Sequence, residues 1–176
     1  TDFEGETGFV EYEIESSSHS EIKVELKDAE GKIAAQNTGA EGKLKVKDVN
    51  LWQPGEGYLY NLEVSLLSGG EIVDKYPLPL GIRKVEIEGN RFLINGDPFY
   101  FKGFGKHQDS EINGRGFDSA VMIRDAELLD WIGANSVRTS HYPYDEEFYR
   151  MCDRRGVVVI DETPAVGVFD MNMNFL

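Results

Sequence analysis

Cysteine is almost absent from this sequence, since Cys152 is the only one among 176 residues. A lone cysteine cannot form an intramolecular disulfide, so nothing in the sequence ties the chain to an oxidising compartment. Histidine is scarce too, with three in all and no H-x-x-x-H spacing, which speaks against a zinc site. There is no G-x-S-x-G, P-loop or C-x-x-C motif, and the glycines lack dinucleotide-binding spacing. We therefore expect no metal site and no cofactor.

Positive charge is also in short supply. The chain has 18 Lys and Arg against 32 Asp and Glu, a formal net charge of -14 at pH 7. Such a balance argues against a nucleic-acid partner and against an anionic membrane surface. No apolar run approaches the ~18 residues of a membrane span. The N-terminal residues lack the basic and apolar regions of a signal peptide, so we expect a cytoplasmic location, although the abrupt start suits an excised segment equally well.

The first part of the chain has the pattern of short antiparallel strands. FVEYEIE, residues 9–15, alternates apolar and polar residues as a half-buried strand does. A D-A-E-G turn at 28–31 joins two further alternating stretches into a hairpin, and two more strands flank Gly69-Gly70. Several short strands without a helical stretch predict a small antiparallel β-sandwich over residues 1–80.

The aromatic residues of LWQPGEGYLY admit two interpretations. Trp52 and Tyr58 could form a platform on which a sugar stacks, or they could be core residues that close one end of the sandwich. Proline and glycine beside aromatic residues are common at strand corners, which favours the core interpretation.

From about residue 98 the pattern changes to strands that alternate with helices. FYFKGFG and VVVID are apolar runs typical of strands covered on both faces, and SVRTS is strand-like. SAVMIRDAELLDWIGAN places Val121, Ile123, Leu128, Leu129 and Ile132 near helical spacing and ends at Gly133. DEEFYRMCDRRG has acids in its first turn and bases in its last, as a helix favours.

This order of elements implies parallel strands joined by right-handed crossovers. The span 81–97 lies between the two halves of the chain, and its Asn95-Gly96 pair predicts a short hairpin there.

Polar residues follow each of the three predicted parallel strands, where ligands bind in α/β units. Taken singly, each has a structural explanation, such as a turn cap or a surface position. Taken together, they predict a polar pocket, in which an arginine presents a fork for a carboxylate and a histidine donates to a hydroxyl. The candidates are His107 and Asp109 after the first strand, Arg138 and His141 at the second, and Asp161 and Glu162 after the third.

Asp161 and Glu162 could be mistaken for a catalytic pair of carboxylates. Neighbours on a strand point to opposite faces, so we expect that these two cannot face one substrate together.

Long motifs of this sequence resemble those of glycoside hydrolase family 2. The resemblance is strong from Gly81 to Gly167 and weaker over residues 1–50, and GRGFD and SHYPY are most similar to the β-glucuronidases of that family. The motifs are LWQPGEGYLY, GIRKVEIEGNRFLINGDPFYFKGFGKHQDSEINGRGFD, WIGANSVRTSHYPYDEEF and GVVVIDETPAVG.

The resemblance implies an enzyme of three parts: a jelly-roll sugar-binding domain, an immunoglobulin-like β-sandwich and a (β/α)₈ TIM barrel. Residues 1–80 would be the sandwich. Residues 81–176 would be the N-terminal part of the TIM-barrel catalytic domain, with its first three βα units and an incomplete barrel. The implied reaction is the hydrolysis of β-D-glucuronides with retention, by two glutamates roughly 5 Å apart. The implied assembly of the full-length enzyme is a homo-oligomer.

The resemblance also assigns roles to the pocket residues. His141 would line the glycone pocket, Arg138 would hold and ionise the nucleophilic glutamate, and Asp109 with His107 would shape the pocket floor. Both catalytic glutamates would lie beyond Leu176, so we expect this chain alone to be inactive. Two alternatives stay open: a non-catalytic module that binds carbohydrate or docks to a partner chain, and a segment of a β-galactosidase or β-mannosidase.

Overall fold

The computed structural model describes residues 1–17 and 21–164. The last residues of the GVVVIDETPAVG motif, 165–167, therefore lie outside the described residues.

The described chain forms two compact units. The first comprises Thr1–Tyr100 and Asp153–Gly156, and the second comprises Phe101–Cys152 and the described part of Val157–Leu176. The predicted domain boundary at residue 80 falls within the first unit, and it stays a prediction.

The first unit is built of antiparallel strands. Their bounds are β1 (Asp2–Glu4), β2 (Thr7–Glu13), β3 (Glu21–Lys27), β4 (Ile33–Thr38), β5 (Glu41–Lys47), β6 (Tyr60–Ser68), β7 (Glu71–Leu80), β8 (Val85–Glu88), β9 (Arg91–Ile94) and β10 (Asp97–Pro98). They make three sheets, ordered β1-β2-β5, β4-β3-β6-β7 and β10-β9-β8.

Two of these sheets share one hydrophobic core. Alternate residues of each strand point to the same face, so the apolar sets of β2 and β5 meet those of β3 and β6. The antiparallel strand pattern that the sequence predicts for this region is confirmed. The buried members of the core are Val10, Ile22, Val24, Leu26, Leu44, Val46, Tyr60, Leu62 and Ile82.

The predicted Asn-Gly hairpin is confirmed, and it joins β9 to β10. Asn95 has φ 54° and Gly96 has φ 86°, the left-handed conformations that a two-residue type I′ turn requires. The turn pairs Ile94 with Asp97, and the Asn95 side chain accepts a hydrogen bond from the Lys84 N–H at 2.9 Å.

Trp52 is a core residue of the first unit, with only 2 % of its surface exposed. Its peptide N–H donates to the Ile82 carbonyl at 3.0 Å, and its indole Nε1 donates to the Asp153 carbonyl at 2.8 Å. A ring enclosed in this way cannot stack on a sugar, so the core interpretation of Trp52 is confirmed. Tyr58 packs partly buried against the same core.

The rest of the chain alternates strands and helices. Three of its strands are parallel and adjacent, in the order β11-β14-β15, as the strand–helix pattern predicts. The elements are β11 (Gly103–Lys106), β12 (Asp109–Ser110), β13 (Gly114–Arg115), α1 (Ser119–Trp131), β14 (Ser136–Thr139), α2 (Glu146–Arg155) and β15 (Val158–Ile160).

The first parallel strand is shorter than the apolar run predicts. β11 begins only at Gly103, where pairing with Ser136 begins, and the Phe99 N–H at the start of the apolar run donates to the Phe92 carbonyl of the hairpin. Within the described part of the chain Phe104 is exposed, so β11 is not covered on both faces there.

Helix α1 forms as predicted, but its buried face differs from the prediction. Asp118 caps it by accepting from the Val121 N–H at 3.0 Å, and Gly133, with φ 69°, follows its last turn. Leu129 is buried whereas Leu128 is exposed, because neighbours on a helix lie about 100° apart and only one can face the sheet. Ile123 and Ile132 are exposed as well. Among residues 1–17 and 21–164, no helix has both the length and the apolar character needed to cross a membrane.

Candidate functional site

The carboxyl ends of β11, β14 and β15 lie side by side at one edge of their sheet. The register sets Arg138 opposite Gly105 on one neighbour and opposite Ile160 on the other. Residues that are far apart in sequence but directly follow these strands are thereby brought together, as expected for a ligand-binding edge.

Arg138 projects from the face of β14 opposite to its buried neighbours Val137 and Thr139. Its guanidinium lies over Gly105, where an added Cβ would come within 3.1 Å of Arg138 Nη2 and 2.5 Å of Ser140 Oγ. The absence of a side chain at Gly105 therefore leaves room for the arginine.

A single carboxylate, that of Glu162, binds Arg138 of β14 and His141, which follows β14. Arg138 Nε donates to Glu162 Oε1 at 2.7 Å, and His141 Nδ1 lies 2.9 Å from Glu162 Oε2. An ionised carboxylate only accepts hydrogen bonds, so Nδ1 must carry the proton in this contact. Hydrogen bonds in which at least one partner is ionised are stronger than those between neutral groups. The peptide bond between Ser140 and His141 is cis.

His107, which follows β11, joins the same cluster. Its ring packs edge-on against that of His141, with 5.3 Å between the ring centroids and planes inclined at 78°. The structure thus brings together three of the four residues to which the resemblance assigns roles, His107, Arg138 and His141. In the described residues no three His, Cys, Asp or Glu side chains are grouped so that they could hold a metal ion.

Asp109 lies on a separate small hairpin. Strand β12 pairs with β13, with Asp109 opposite Arg115, and the aspartate is exposed. Its role at the pocket floor stays a prediction.

Asp161 and Glu162 contact different partners, but both lie beyond the end of β15 at Ile160, so alternation along a strand is not the cause. The Thr139 hydroxyl donates to Asp161 Oδ1 at 2.7 Å, and the Tyr149 hydroxyl donates to the same oxygen at 2.7 Å. The Glu162 N–H donates in turn to Thr139 Oγ1 at 2.9 Å. Asp161 therefore anchors the turn after β15, whereas Glu162 faces Arg138 and His141.

Glu162 is the member of this cluster to which the resemblance assigns no role, although its position after the third strand makes it a pocket candidate. The position of Glu162 directly after a predicted strand indicates a pocket residue, but the position of Asp161 indicates the same. Only the point at which β15 ends and the positions of Arg138 and His141 distinguish the two carboxylates.

Two tyrosines behind the cluster are held in their neutral form. Burial, together with the hydrogen bond to Asp161, raises the pKa of Tyr149 from 10.0 to about 12. Burial also raises the pKa of Tyr144, whose hydroxyl donates to the Lys106 carbonyl. The Tyr144 N–H donates to Tyr149 Oη at 2.7 Å, so the two residues brace the turn between β14 and α2.

Stability at high pH is expected to depend on Tyr149. Its pKa is raised in the folded state, so its contribution is fully present below pH 10 and decreases as the pH rises to about 12. The free energy of unfolding of Tyr149→Phe should therefore decrease less over this range than that of the wild type. Urea unfolding at a series of pH values measures both slopes, and equal slopes would contradict the assignment.

Comparison with known proteins identifies the family. Residues 85–175 match the model described as glycosyl hydrolases family 2, TIM barrel domain, and residues 2–83 match the model described as glycosyl hydrolases family 2. The chain belongs to glycosyl hydrolase family 2. The cluster around Glu162 thus lies in the region that matches the family's TIM-barrel domain.

Relatives within family 2 are similar to nearly the whole chain. A β-glucuronidase of Paenibacillus borealis is 54 % identical over 176 residues, which are 99 % of this chain and 30 % of the relative. A β-glucuronidase of Rattus norvegicus is 50 % identical over 175 residues, which are 96 % of this chain and 27 % of that relative. The solved structure of the Ruminococcus gnavus β-glucuronidase in complex with D-glucuronic acid superposes with a TM-score of 0.91 at 44 % identity, covering 94 % of this chain and 29 % of that one. The chain therefore spans less than a third of the length of each of these relatives.

Proposed function

We propose that this chain is a segment of a retaining β-glucuronidase, which hydrolyses the O-glycosyl bond of β-D-glucuronides in carbohydrate metabolism. The observation that carries the proposal is the identity of about half of all residues, over nearly the whole chain, with proteins named β-glucuronidase. The D-glucuronic acid in the complex of the Ruminococcus gnavus enzyme supports the same substrate class.

The finer architecture belongs to the same proposal. The two facing antiparallel sheets of the first unit would be an immunoglobulin-like sandwich. The parallel strands β11, β14 and β15, with helices α1 and α2 between them, would be the first three βα units of a (β/α)₈ barrel. Other parts of the protein would complete that barrel, because a closed barrel of this kind has eight strands.

Retaining hydrolysis uses two carboxyl groups roughly 5 Å apart, one as acid/base and one as nucleophile. In this proposal both are glutamates that lie outside this chain, and the chain supplies supporting groups. Arg138 would keep the nucleophile ionised, since a neighbouring cation favours the charged form of a carboxylate. His141 would hydrogen-bond a hydroxyl of the glycone, and His107 would support its ring.

The test is the hydrolysis of a chromogenic β-D-glucuronide by the full-length protein and by this chain alone. Activity of the full-length protein alone, with the β-anomer of glucuronic acid as the first product seen by NMR, is the expected result. Faster hydrolysis of a β-galactoside or β-mannoside would overturn the substrate assignment. Inactivity on all three would favour the binding-module alternative, and activity of this chain alone would place the catalytic carboxylates within it. A cytoplasmic location and a homo-oligomeric state stay predictions.

A further inference from the structure

We propose that Glu162 is a positioning residue, which holds Arg138 and His141 in the geometry that the reaction needs. The inference rests on the proposed function, because it assigns a further member to the same site. In this role Glu162 does not contact the reacting atoms. It acts through the two side chains that its carboxylate binds.

The backbone of Glu162 is fixed independently of its side chain. Its N–H donates to the hydroxyl of Thr139 at 2.9 Å, and Thr139 is completely buried. The preceding residue, Asp161, accepts hydrogen bonds from Thr139 and Tyr149. The carboxylate of Glu162 is therefore presented from an anchored turn, which is what a supporting residue requires.

The side chains that Glu162 binds are not fixed by burial. The Arg138 side chain is 49 % exposed, and that of His141 is partly exposed. A long exposed arginine has many rotamers, and ordering it opposes conformational entropy. The two oxygens of one carboxylate, at 2.7 Å from Arg138 Nε and 2.9 Å from His141 Nδ1, fix both side chains relative to one another.

The same contact selects the protonated nitrogen of His141. Because Glu162 accepts the Nδ1 proton, the neutral ring presents Nε2 as an acceptor. The edge-on contact with His107 restricts the ring further. With its ring neutral, His141 would therefore accept a hydrogen bond from a sugar hydroxyl through Nε2, rather than donate one.

The experiment compares Glu162→Ala and Glu162→Gln in the full-length enzyme. A displacement of about 1 Å in a supporting group lowers activity by about 100-fold, and we expect that loss in kcat/KM for Glu162→Ala. Glu162→Gln should fall between the alanine variant and the wild type, because its single amide oxygen can accept from only one of the two donors. Formate should raise the activity of the alanine variant by supplying a carboxylate, and it should not raise that of the wild type.

Glu147→Gln is the matched control. Glu147 lies on α2, is half-exposed and is paired with Arg150 at 2.7 Å, so the same chemical change is made away from the cluster. Its activity should equal that of the wild type.

Each outcome decides between the proposals. An active wild type with an equally active Glu162→Ala overturns the positioning role alone. A Glu162→Ala variant that loses activity, melts at a much lower temperature and does not respond to formate also overturns it, in favour of a purely structural role. A wild type inactive on β-glucuronides overturns the proposed function, and with it this inference.

Discussion

Replacing Arg138 with alanine in the full-length enzyme is expected to lower kcat/KM for a chromogenic β-glucuronide by about 1,000-fold. The loss of one preorganised group that stabilises charge at an active site lowers kcat by about 100- to 1,000-fold. The upper end is expected here because the substitution also leaves Glu162, bound to Arg138 at 2.7 Å, without its arginine partner. Steady-state kinetics with purified enzyme measures the effect.

The same substitution should hardly change stability, because ion pairs at exposed positions contribute about 0–1 kcal/mol. Arg150→Ala is the matched control, since Arg150 is 44 % exposed and binds Glu146 and Glu147 on its own helix. We expect Arg150→Ala to keep wild-type kcat/KM. Retention of wild-type activity by Arg138→Ala would remove Arg138 from the site.

Replacing Trp52 with alanine is expected to lower the free energy of unfolding by about 3–5 kcal/mol, as for other large buried aromatic residues. The indole is buried, and an added Cβ on Gly81 would lie 2.7 Å from Trp52 Cβ, so the site is closely packed. The substitution also leaves the Asp153 carbonyl without the indole donor. Urea unfolding of this chain, followed by circular dichroism, measures the change.

Trp131→Ala serves as the control for tryptophan removal. Trp131 is 82 % exposed at the end of α1, and substitutions at such surface positions change stability by about 0.5 kcal/mol or less. A Trp52→Ala variant that unfolds like the wild type but binds oligosaccharide more weakly would instead support the sugar-stacking interpretation.

Features that depend on neighbours along the chain were predictable from the sequence. Asn95-Gly96 predicts its hairpin because a two-residue turn needs positive φ at both positions, and few residue pairs adopt them readily. The antiparallel strands of the first unit follow from apolar alternation with a period of two. The position of Arg138 and His141 at the carboxyl-end edge of the parallel sheet follows from the order of strands and helices alone, because crossovers between parallel strands have one hand.

The sequence by itself therefore determined the type of the main elements and the edge at which the polar residues gather. The tertiary structure decided which of these residues meet. Leu129 rather than Leu128 is buried, and Glu162 rather than Asp161 binds Arg138 and His141. In each pair the adjacent residues have the same chemical character, so the sequence does not distinguish them. Only the three-dimensional position of the neighbouring elements determines which of the two side chains has a partner.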